Sequence, residues 1–329
     1  MTEIRLGTIG SGPIVHNILK NVARTEGIRL EAAYSRTAEK AQAIADKYGT
    51  KKIYTDMDAF LAAEEINFVY IATPNLLHYP QAKKALLAGK NVILEKPFTT
   101  KLEHARELVN IADEKGLILI DAVPTAFLPN LALLKEALPR IGKLKLVMGN
   151  YSQYSSRYDR FRSGETDNVF NPAFSGGSLM DINYYNVYLN TALFGKAQGA
   201  VYFPNIQRSI DTSGVIVLRY DGFVSQNTGA KDCRGENFFQ IEGEDGYNYV
   251  PGGVSSLEEI RVVTKEGTEI IRTPHETDLW GWEVGAVAEH IGSGNFEPLS
   301  QGLQTMLAVI ETIETARKAA GIHFPDDLT

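Results

Sequence analysis

The 329-residue sequence contains little cysteine, since Cys233 is the only one. A single cysteine excludes an internal disulfide and any metal site built on several cysteines, and it suits a reducing cytosol. The six histidines show no spacing typical of metal ligands, so we expect no bound metal. The sequence also lacks a run of about 18 apolar residues, which excludes an ordinary membrane-spanning helix.

The amino terminus lacks a basic segment followed by an apolar one, so we predict no signal peptide and a cytoplasmic location. The 33 basic and 40 acidic side chains leave a net charge of −7, which argues against binding to nucleic acid. We therefore expect a small-molecule substrate as the partner, with no nucleic acid and no membrane.

Apolar residues make up 44% and charged residues 22% of the chain, as in globular proteins, and the length predicts about two domains. In residues 1–123, short apolar runs alternate with amphipathic stretches. The predicted strands cover 4–9, 29–34, 52–54, 68–73, 92–95 and 117–121, and the predicted helices cover 13–24, 38–48, 79–88 and 102–114. This alternation predicts an α/β domain with a doubly wound parallel (Rossmann) sheet.

Residues 124–329 follow a different pattern, which predicts an α+β domain with an open, mainly antiparallel sheet. Several strands are expected between residues 201 and 242, where Asp221-Gly222 between apolar runs indicates a hairpin. Two more strands flank Lys265-Glu266-Gly267. The predicted helices cover 131–138, 177–194, 283–290 and 303–320.

A glycine loop, Gly10-Ser11-Gly12, follows the first predicted strand and precedes a helix that begins with Pro13 and Ile14. The first glycine permits a tight turn, and the second lets the backbone approach a pyrophosphate at the helix N-terminus. Val15 occupies the third glycine position of the dinucleotide fingerprint, so the match is incomplete. A plain turn is the alternative, but the start of a strand–helix–strand series favours a bound dinucleotide.

The second predicted strand ends beside Ser35, where NAD-binding proteins usually have an acidic residue that binds the ribose 2′-hydroxyl. Arg36 is adjacent, and Lys40 follows one helical turn later. A carboxylate would repel a 2′-phosphate, whereas serine and arginine can bind one, so the sequence favours NADP over NAD. The alternative is that Arg36 is an ordinary solvated residue at the start of a helix.

Three further segments carry a resemblance to a known family. They are Ala72-Thr73-Pro74-Asn75-Leu76-Leu77-His78, Glu95-Lys96-Pro97, and Gly176-Gly177-Ser178-Leu179-Met180-Asp181 with Tyr185. With the glycine loop, they resemble the Gfo/Idh/MocA oxidoreductases, in order and over nearly the whole chain. The resemblance implies an N-terminal domain that binds NAD or NADP. It also implies a C-terminal sheet that forms part of the substrate pocket and an interface in a homodimer or dimer of dimers.

The segments after the fourth and fifth predicted strands lie where doubly wound sheets bind ligands, beyond the carboxyl ends of the strands. We expect the following residues of these segments to bind the cofactor: Thr73, Pro74, Asn75, His78, Glu95, Lys96 and Pro97. The resemblance also implies a cis peptide bond between Lys96 and Pro97. An ordinary surface lysine after a strand is the alternative for Lys96.

Asp181 and Tyr185 are four residues apart on a predicted helix, so they share one face. The resemblance implies that Tyr185 is the acid/base, at a position where many family members have histidine. A free tyrosine has a pKa of about 10, which a nearby Lys96 would lower. We therefore predict Lys96, Tyr185 and Asp181 as catalytic residues, with Asp181 bonded to substrate or to Lys96. The alternatives are that Tyr184 takes the role, or that Tyr185 is a packed aromatic residue.

The chain departs from the family at Pro124 and Ala126, where an aromatic residue and an arginine are frequent, so substrates of relatives are not transferred. A predicted loop carries Arg157, Arg160 and Arg162, which could engage an acidic or phosphorylated substrate. A solvated loop is the favoured alternative.

We interpret the sequence as an oxidoreductase that prefers NADP but can use NAD. Its hydride passes between nicotinamide and a secondary alcohol or ketone of a sugar, polyol or cyclic diol. The alternative is a non-catalytic NAD(P)-binding sensor or regulator. The presence of both Lys96 and Tyr185 argues against a sensor, which needs neither.

Overall fold

The computed structural model describes residues 3–254, 257–273 and 277–328. The chain divides into two compact units. The first comprises Met1–Val123 and Trp280–Gln304, and the second comprises Pro124–Leu279 and Thr305–Thr329. The predicted ranges, 1–123 and 124–329, meet at the same point but do not include the return of Trp280–Gln304 to the first unit. An amphipathic pattern predicts that these residues form helices, but it does not show which sheet they cover.

The first unit contains a six-stranded parallel sheet in the order β3-β2-β1-β4-β5-β6, the order of a dinucleotide-binding Rossmann fold. Its strands are β1 (Ile4–Ile9), β2 (Ile28–Tyr34), β3 (Lys52–Tyr54), β4 (Phe68–Ile71), β5 (Asn91–Glu95) and β6 (Leu119–Ala122). All four residues of β4 are buried, as expected of a strand covered on both faces. The structure confirms the predicted doubly wound sheet.

Five helices connect these strands. They are α1 (Pro13–Val22), α2 (Ala38–Tyr48), α3 (Met57–Ala62), α4 (His78–Leu87) and α5 (Leu102–Lys115). Gly49 and Gly116 end α2 and α5 with positive φ angles of 83° and 64°, as helix C-caps do. Helix α3 was not predicted, because its six residues are too few to show a helical period. The Asp56 carboxylate caps it by accepting a hydrogen bond from the Ala59 N–H at 2.8 Å.

The second unit contains an eight-stranded sheet in the order β14-β13-β12-β11-β7-β10-β9-β8. Its strands are β7 (Leu144–Ser152), β8 (Gly199–Gln207), β9 (Ile210–Arg219), β10 (Val224–Ala230), β11 (Phe238–Gly243), β12 (Gly246–Pro251), β13 (Glu259–Thr264) and β14 (Gly267–Arg272). Strands β7 and β10 pair in parallel, and the other neighbours are antiparallel. The mainly antiparallel sheet is thus confirmed, and the predicted hairpin turn at Asp221-Gly222 joins β9 to β10.

The remaining helices are α6 (Pro129–Ala137), α7 (Tyr158–Arg162), α8 (Tyr184–Phe194), α9 (Leu279–Ser293) and α10 (Glu297–Ala319). One prediction was wrong here, and another needs a refinement. The arginine-containing segment is the short helix α7 rather than a loop, because Tyr158 and Phe161 bury one side of it. The helix predicted over 177–194 is present, but its first turn, Leu179–Asn183, is π-helical and continues directly into α8.

A row of buried asparagines holds this π turn and α8 against the sheet. Asn183 donates to Asn227 O at 3.2 Å, Asn186 donates to Thr228 O at 3.0 Å, and Asn190 donates to Asn227 Oδ1 at 3.0 Å. A Cβ added at Gly229 on β10 would lie 2.6 Å from the Asn183 Cβ, so glycine is needed for this close approach. The row fixes the segment that bears Asp181 and Tyr185.

Within the described ranges, every helix is too short or too polar to cross a bilayer.

Candidate active site

The glycine loop of the first unit forms a cradle at the N-terminus of α1. Gly10 has a φ of 126°, and a Cβ there would lie 2.4 Å from Ala72 O, so the turn requires glycine. A Cβ at Gly12 would meet nothing within 4 Å, and this residue makes no side-chain cap on α1. Pro13 and Ile14 begin the helix, whose first turn carries no acidic residue. Free N–H groups and the positive end of the helix dipole therefore fit a pyrophosphate.

The junction between β2 and α2 carries two cations for which the described residues supply no partner. Ser35 follows the strand, is buried, and donates its backbone N–H to Tyr54 O at 3.2 Å. Arg36 and Lys40 are both exposed. Neither forms an ion pair or a hydrogen bond within the described part of the chain. Two available cations beside a small residue suit an additional phosphate group.

His78 links the loops that follow β4 and β5. One ring nitrogen lies 2.8 Å from Pro97 O, and the other lies 2.9 Å from Thr73 O. Burial, supplemented by the Lys96 charge, lowers the pKa of His78 despite the two backbone contacts. Both ring nitrogens thus face backbone carbonyls of the same unit, and His78 holds together two loops predicted to bind the cofactor. Direct binding of the cofactor by His78 stays a prediction.

The other predicted residues of these loops lie around this link. The Thr73 hydroxyl donates to Gln81 Oε1 at 2.7 Å, and Pro74 precedes a short 3₁₀ turn that begins at Asn75. Glu95 is buried at the end of β5, where it accepts hydrogen bonds from the Tyr70 hydroxyl at 2.6 Å and from the Lys96 N–H at 3.1 Å. Its carboxylate thus has partners within the protein.

Lys96 is half-buried and follows the carboxyl end of β5 directly. The peptide bond between Lys96 and Pro97 is cis, as the resemblance implied. The position of Lys96 beyond a strand end of the parallel sheet is the one at which such sheets bind ligands.

Two buried acids near Glu95 were not identified from the sequence. Burial raises the pKa of Asp121 well above its ordinary value, and the charge of Glu95 adds to the shift. Burial also raises the pKa of Glu283, with further contributions from Glu95 and Asp121. Neither carboxyl oxygen of Asp121 has a hydrogen-bond partner in the described part of the chain. No sequence motif indicates this cluster, because Glu283 lies far from Glu95 and Asp121 in the sequence and joins the first unit through the segment Trp280–Gln304.

In the second unit, Asp181 lies in the π turn and forms an ion pair with Lys231. The Lys231 side chain is 3% exposed, whereas that of Asp181 is 31% exposed. Lys231 follows β10 and lies 50 residues from its partner in the sequence, so it was not predicted as a site residue. An isolated lysine after a strand has no sequence signal that distinguishes it from a surface residue.

Tyr185 and Tyr184 differ in their surroundings. The half-buried Tyr185 ring meets the Tyr151 ring edge-on, with centroids 5.8 Å apart. Tyr184 is fully buried and stacks on Tyr188 at 6.4 Å. Tyr185 is therefore the more accessible of the two phenols, as its predicted role requires.

Asp211 anchors the start of the π turn. Its carboxylate accepts hydrogen bonds from the Leu179 N–H at 2.7 Å and from the Tyr202 hydroxyl at 2.8 Å. Burial raises the pKa of Asp211 to about 6 against the opposing effect of these bonds. A Cβ at Gly177, which has a φ of 113°, would lie 2.0 Å from Asp211 Oδ1. Gly177 thus permits the backbone to approach this acid.

Two of the three arginines in helix α7 and its N-cap have local acidic partners. Arg160 binds Glu165 at 2.5 Å, and Arg162 lies 3.8 Å from Asp159. Arg157 is half-buried and forms no ion pair with the described residues. Because two of these arginines pair with acidic residues of the same chain, less positive charge is available for an anionic substrate than three unpaired arginines would supply.

Each unit, taken by itself, carries groups that a nucleotide-dependent enzyme uses. The first has a phosphate cradle, available cations at the end of β2, and a lysine beyond β5. The second has a carboxylate paired with a buried ammonium, and an accessible phenol on the same helical segment. A carboxylate and a phenol can bond to a substrate hydroxyl and exchange its proton.

Comparison with known proteins agrees with this geometry. Residues 4–122 match the model of the oxidoreductase family with the NAD-binding Rossmann fold, Gfo/Idh/MocA. The chain is 34% identical over 330 residues to the scyllo-inositol 2-dehydrogenase (NADP⁺) IolU of Bacillus subtilis, covering 98% of this chain and 99% of that one. It is 25% identical over 350 residues to a trans-1,2-dihydrobenzene-1,2-diol dehydrogenase of Mus musculus, with 98% and 99% covered.

A solved structure shows the same fold. It is KijD10, a 3-ketoreductase from Actinomadura kijaniata in complex with NADP, with a TM-score of 0.81 at 21% identity. The likeness covers 96% of this chain and 97% of that one. The 34% identity to the Bacillus subtilis enzyme extends over almost the whole of both chains, as expected of members of one family. The chain belongs to the Gfo/Idh/MocA family and is an NAD(P)-dependent oxidoreductase with a Rossmann domain.

Proposed function

We propose that this protein is an NADP(H)-preferring oxidoreductase that interconverts a secondary alcohol and a ketone on a polyol or cyclic diol. One observation carries the cofactor preference: Arg36 and Lys40 are exposed and unpaired beside Ser35, within the described residues. The 2′-phosphate that distinguishes NADP from NAD is a dianion, for which charge-assisted hydrogen bonds from arginine are strong.

The side chains have separate roles in this proposal. Tyr185 exchanges the proton of the substrate hydroxyl, and Asp181 accepts a hydrogen bond from substrate. Lys96 supplies positive charge that favours the ionised phenol and orients the substrate. The loops around Thr73, Asn75 and Pro97, linked by His78, hold the cofactor beside Lys96. The bound nicotinamide supplies the hydride chemistry, while the protein supplies position and charge.

The substrate class follows from the charge of the candidate site and from the relatives. The two relatives act on scyllo-inositol and on trans-1,2-dihydrobenzene-1,2-diol, which are uncharged rings with neighbouring hydroxyls. The partly exposed Asp181 can accept a hydrogen bond from such a hydroxyl. The pairing of Arg160 and Arg162 with nearby acids favours a neutral substrate over a phosphorylated one.

The test is a screen of nicotinamide fluorescence with a panel of inositols, sugars, diols and the corresponding ketones. We expect turnover of at least one neutral polyol or cyclic ketone, faster with NADP(H) than with NAD(H). Tight cofactor binding without turnover of any member would favour the sensor or regulator, and would contradict the proposal.

We also propose that the protein is a cytoplasmic homodimer or dimer of dimers. An apolar face on β8, β9 and β10 supports the assembly; it consists of Val201, Phe203, Val215, Val217 and Val224. Phe203 is 62% exposed and Val201 is 53% exposed, and contiguous apolar patches of this kind usually mark interfaces. The single thiol, Cys233, is exposed and free, which suits a reducing compartment.

A further inference from the structure

Lys231 is a buried cation whose partner is a predicted catalytic residue. Its Nζ hydrogen-bonds to Asp181 Oδ2 and lies 5.1 Å from the centre of the Phe170 ring. Removing an ammonium from water is costly unless a carboxylate pairs with it. Asp181 is the carboxylate that pairs with this buried ammonium, and an ammonium within hydrogen-bond distance favours the ionised form of a carboxylate.

The backbone of Lys231 is held on both sides. Its N–H donates to Thr212 O at 2.8 Å, and its carbonyl accepts from the Ser155 N–H at 2.9 Å. The adjacent Asp232 accepts hydrogen bonds from the hydroxyls of Thr212 at 2.7 Å and Ser213 at 2.9 Å. The ammonium is thus presented to Asp181 from a fixed position.

Asp181 is also held through its own backbone. Its N–H donates to Gly177 O at 3.2 Å, and the turn that carries it is anchored where the Leu179 N–H binds Asp211. The side chains of Lys231 and Asp181 are 3% and 31% exposed. The ammonium therefore lies behind the carboxylate, which keeps an open side.

A second buried pair in the same unit shows what a purely structural pair looks like. Arg317 and Asp327 are 1% and 3% exposed, so both partners are enclosed. This pair joins α10 to the C-terminal residues and offers no surface to a ligand. The Lys231–Asp181 pair differs because one of its members faces outward.

We propose that Lys231 is a positioning residue that keeps the Asp181 carboxylate ionised and in one orientation, so that its open side accepts a hydrogen bond from a substrate hydroxyl. The ammonium is itself enclosed and acts on the substrate through Asp181. Its charge also opposes the burial that raises the pKa of Asp211, the acid that anchors the same turn. The substrate part of this inference rests on the proposed polyol oxidoreductase function.

The first test is the Lys231→Met variant, which keeps an unbranched side chain and removes the charge. A hydrogen bond to a charged group corresponds to about 10–100-fold in affinity, so we expect KM for a polyol to rise by about that factor. The dissociation constant of NADP should not change, and the acidic limb of the kcat/KM profile should move to higher pH. Lys196→Met, which removes an exposed ion pair with Glu311, is the matched control and should change none of these.

A double variant separates positioning from general stabilisation. In an Asp181→Asn background, Lys231→Met should change kcat/KM little further, because its effect passes through the carboxylate. A loss that persists in that background would overturn the proposal. If Lys231→Met does not fold, Lys231→Gln serves, since it retains a hydrogen-bond donor without the charge.

A measurement without substrate keeps this proposal distinct from the proposed function. The Asp181 carboxyl carbon, followed by NMR and assigned with Asp181→Asn, should titrate at higher pH in Lys231→Met than in wild type. If this shift is seen but no polyol is turned over, Lys231 does keep Asp181 ionised, whereas the proposed activity on polyols is contradicted. Normal turnover with an unchanged titration and an unchanged KM would overturn the role of Lys231.

Discussion

Asp121 is a buried carboxyl whose charge state should be visible in the stability of the protein. Its folded-state pKa is raised well above the ordinary 3.8, mainly by burial. The folded state therefore binds more protons than the unfolded state above that pH, and the free energy of unfolding contributed by this group falls as pH rises. Asp121→Asn removes this dependence. We expect the stability of the variant relative to wild type to increase with pH by up to about 1.4 kcal/mol per unit.

Urea denaturation of both proteins at pH 5, 6, 7 and 8 measures this difference. Asp113→Asn is the matched control, because Asp113 is exposed in α5 of the same unit. Its curve should run parallel to that of wild type. A constant difference between Asp121→Asn and wild type across this range would show that the carboxyl is not held protonated.

At the residue scale, a role could be predicted from the sequence only where it depends on residues adjacent in the chain. Gly10 and Gly12 have a recognisable role because a tight turn and a helix N-terminus are adjacent in the chain. Ser35 and Arg36 are recognisable from their position after the second strand. Lys231 and Glu283 could not be recognised from the sequence. Each contacts its partner only when distant segments pack together, and neither lies in a motif.

The junction between β2 and α2 is the element that we expect to select the cofactor. The double variant Ser35→Asp with Arg36→Ala places a carboxylate where the 2′-phosphate would bind and removes a cation. The affinity for NADP should fall by about tenfold or more, which is the effect of losing a charge-assisted hydrogen bond. The double variant should then prefer NAD. Arg24→Ala, an exposed residue of the same unit, should leave both affinities unchanged.

Dissociation constants for NADP and NAD, measured by nicotinamide fluorescence, show which cofactor each protein binds more tightly. Wild type should bind NADP more tightly, and the double variant should reverse the order. Equal or tighter binding of NAD by wild type would remove the cofactor preference from the account.

At the element scale, the sequence pattern predicted nearly all strands and helices of the first unit, because short apolar runs alternate regularly with amphipathic stretches there. Short or irregular elements were missed or altered. Helix α3 has six residues. The turn at Leu179–Asn183 is π-helical, and the asparagine row behind it presents a polar periodicity that a search for apolar faces does not detect.

At the scale of the whole molecule, the apolar face of β8, β9 and β10 predicts self-association. Phe203→Asp places a charge at its most exposed large residue, and burying that charge in an interface is costly. Light scattering at micromolar concentration should give a dimer or tetramer for wild type and a smaller species for the variant. Leu87→Asp, an exposed leucine of the first unit, should assemble as wild type does. A wild-type monomer would contradict the predicted assembly.

The fold of the whole chain was predictable because two hydrophobic periods, one in each part, indicate two kinds of sheet. The return of Trp280–Gln304 to the first unit could not be predicted from these periods. Helix α9 has an apolar side that would cover either sheet equally well as far as its sequence shows. Its assignment to one sheet depends on side-chain complementarity, which periodicity does not encode.

Tyr185 is the group that we propose to transfer the proton in an NADP-dependent oxidoreductase reaction. Its most direct test is the kcat of Tyr185→Phe on a polyol or ketone that wild type turns over, measured beside the dissociation constant of NADP. We expect kcat to fall by about 10²–10⁴, the contribution of a positioned acid or base, while NADP binding is unchanged. Tyr184→Phe, its buried neighbour, should retain most of the activity. Retention of more than about a tenth of wild-type kcat by Tyr185→Phe, against the 10²-fold minimum loss expected, would contradict the assignment.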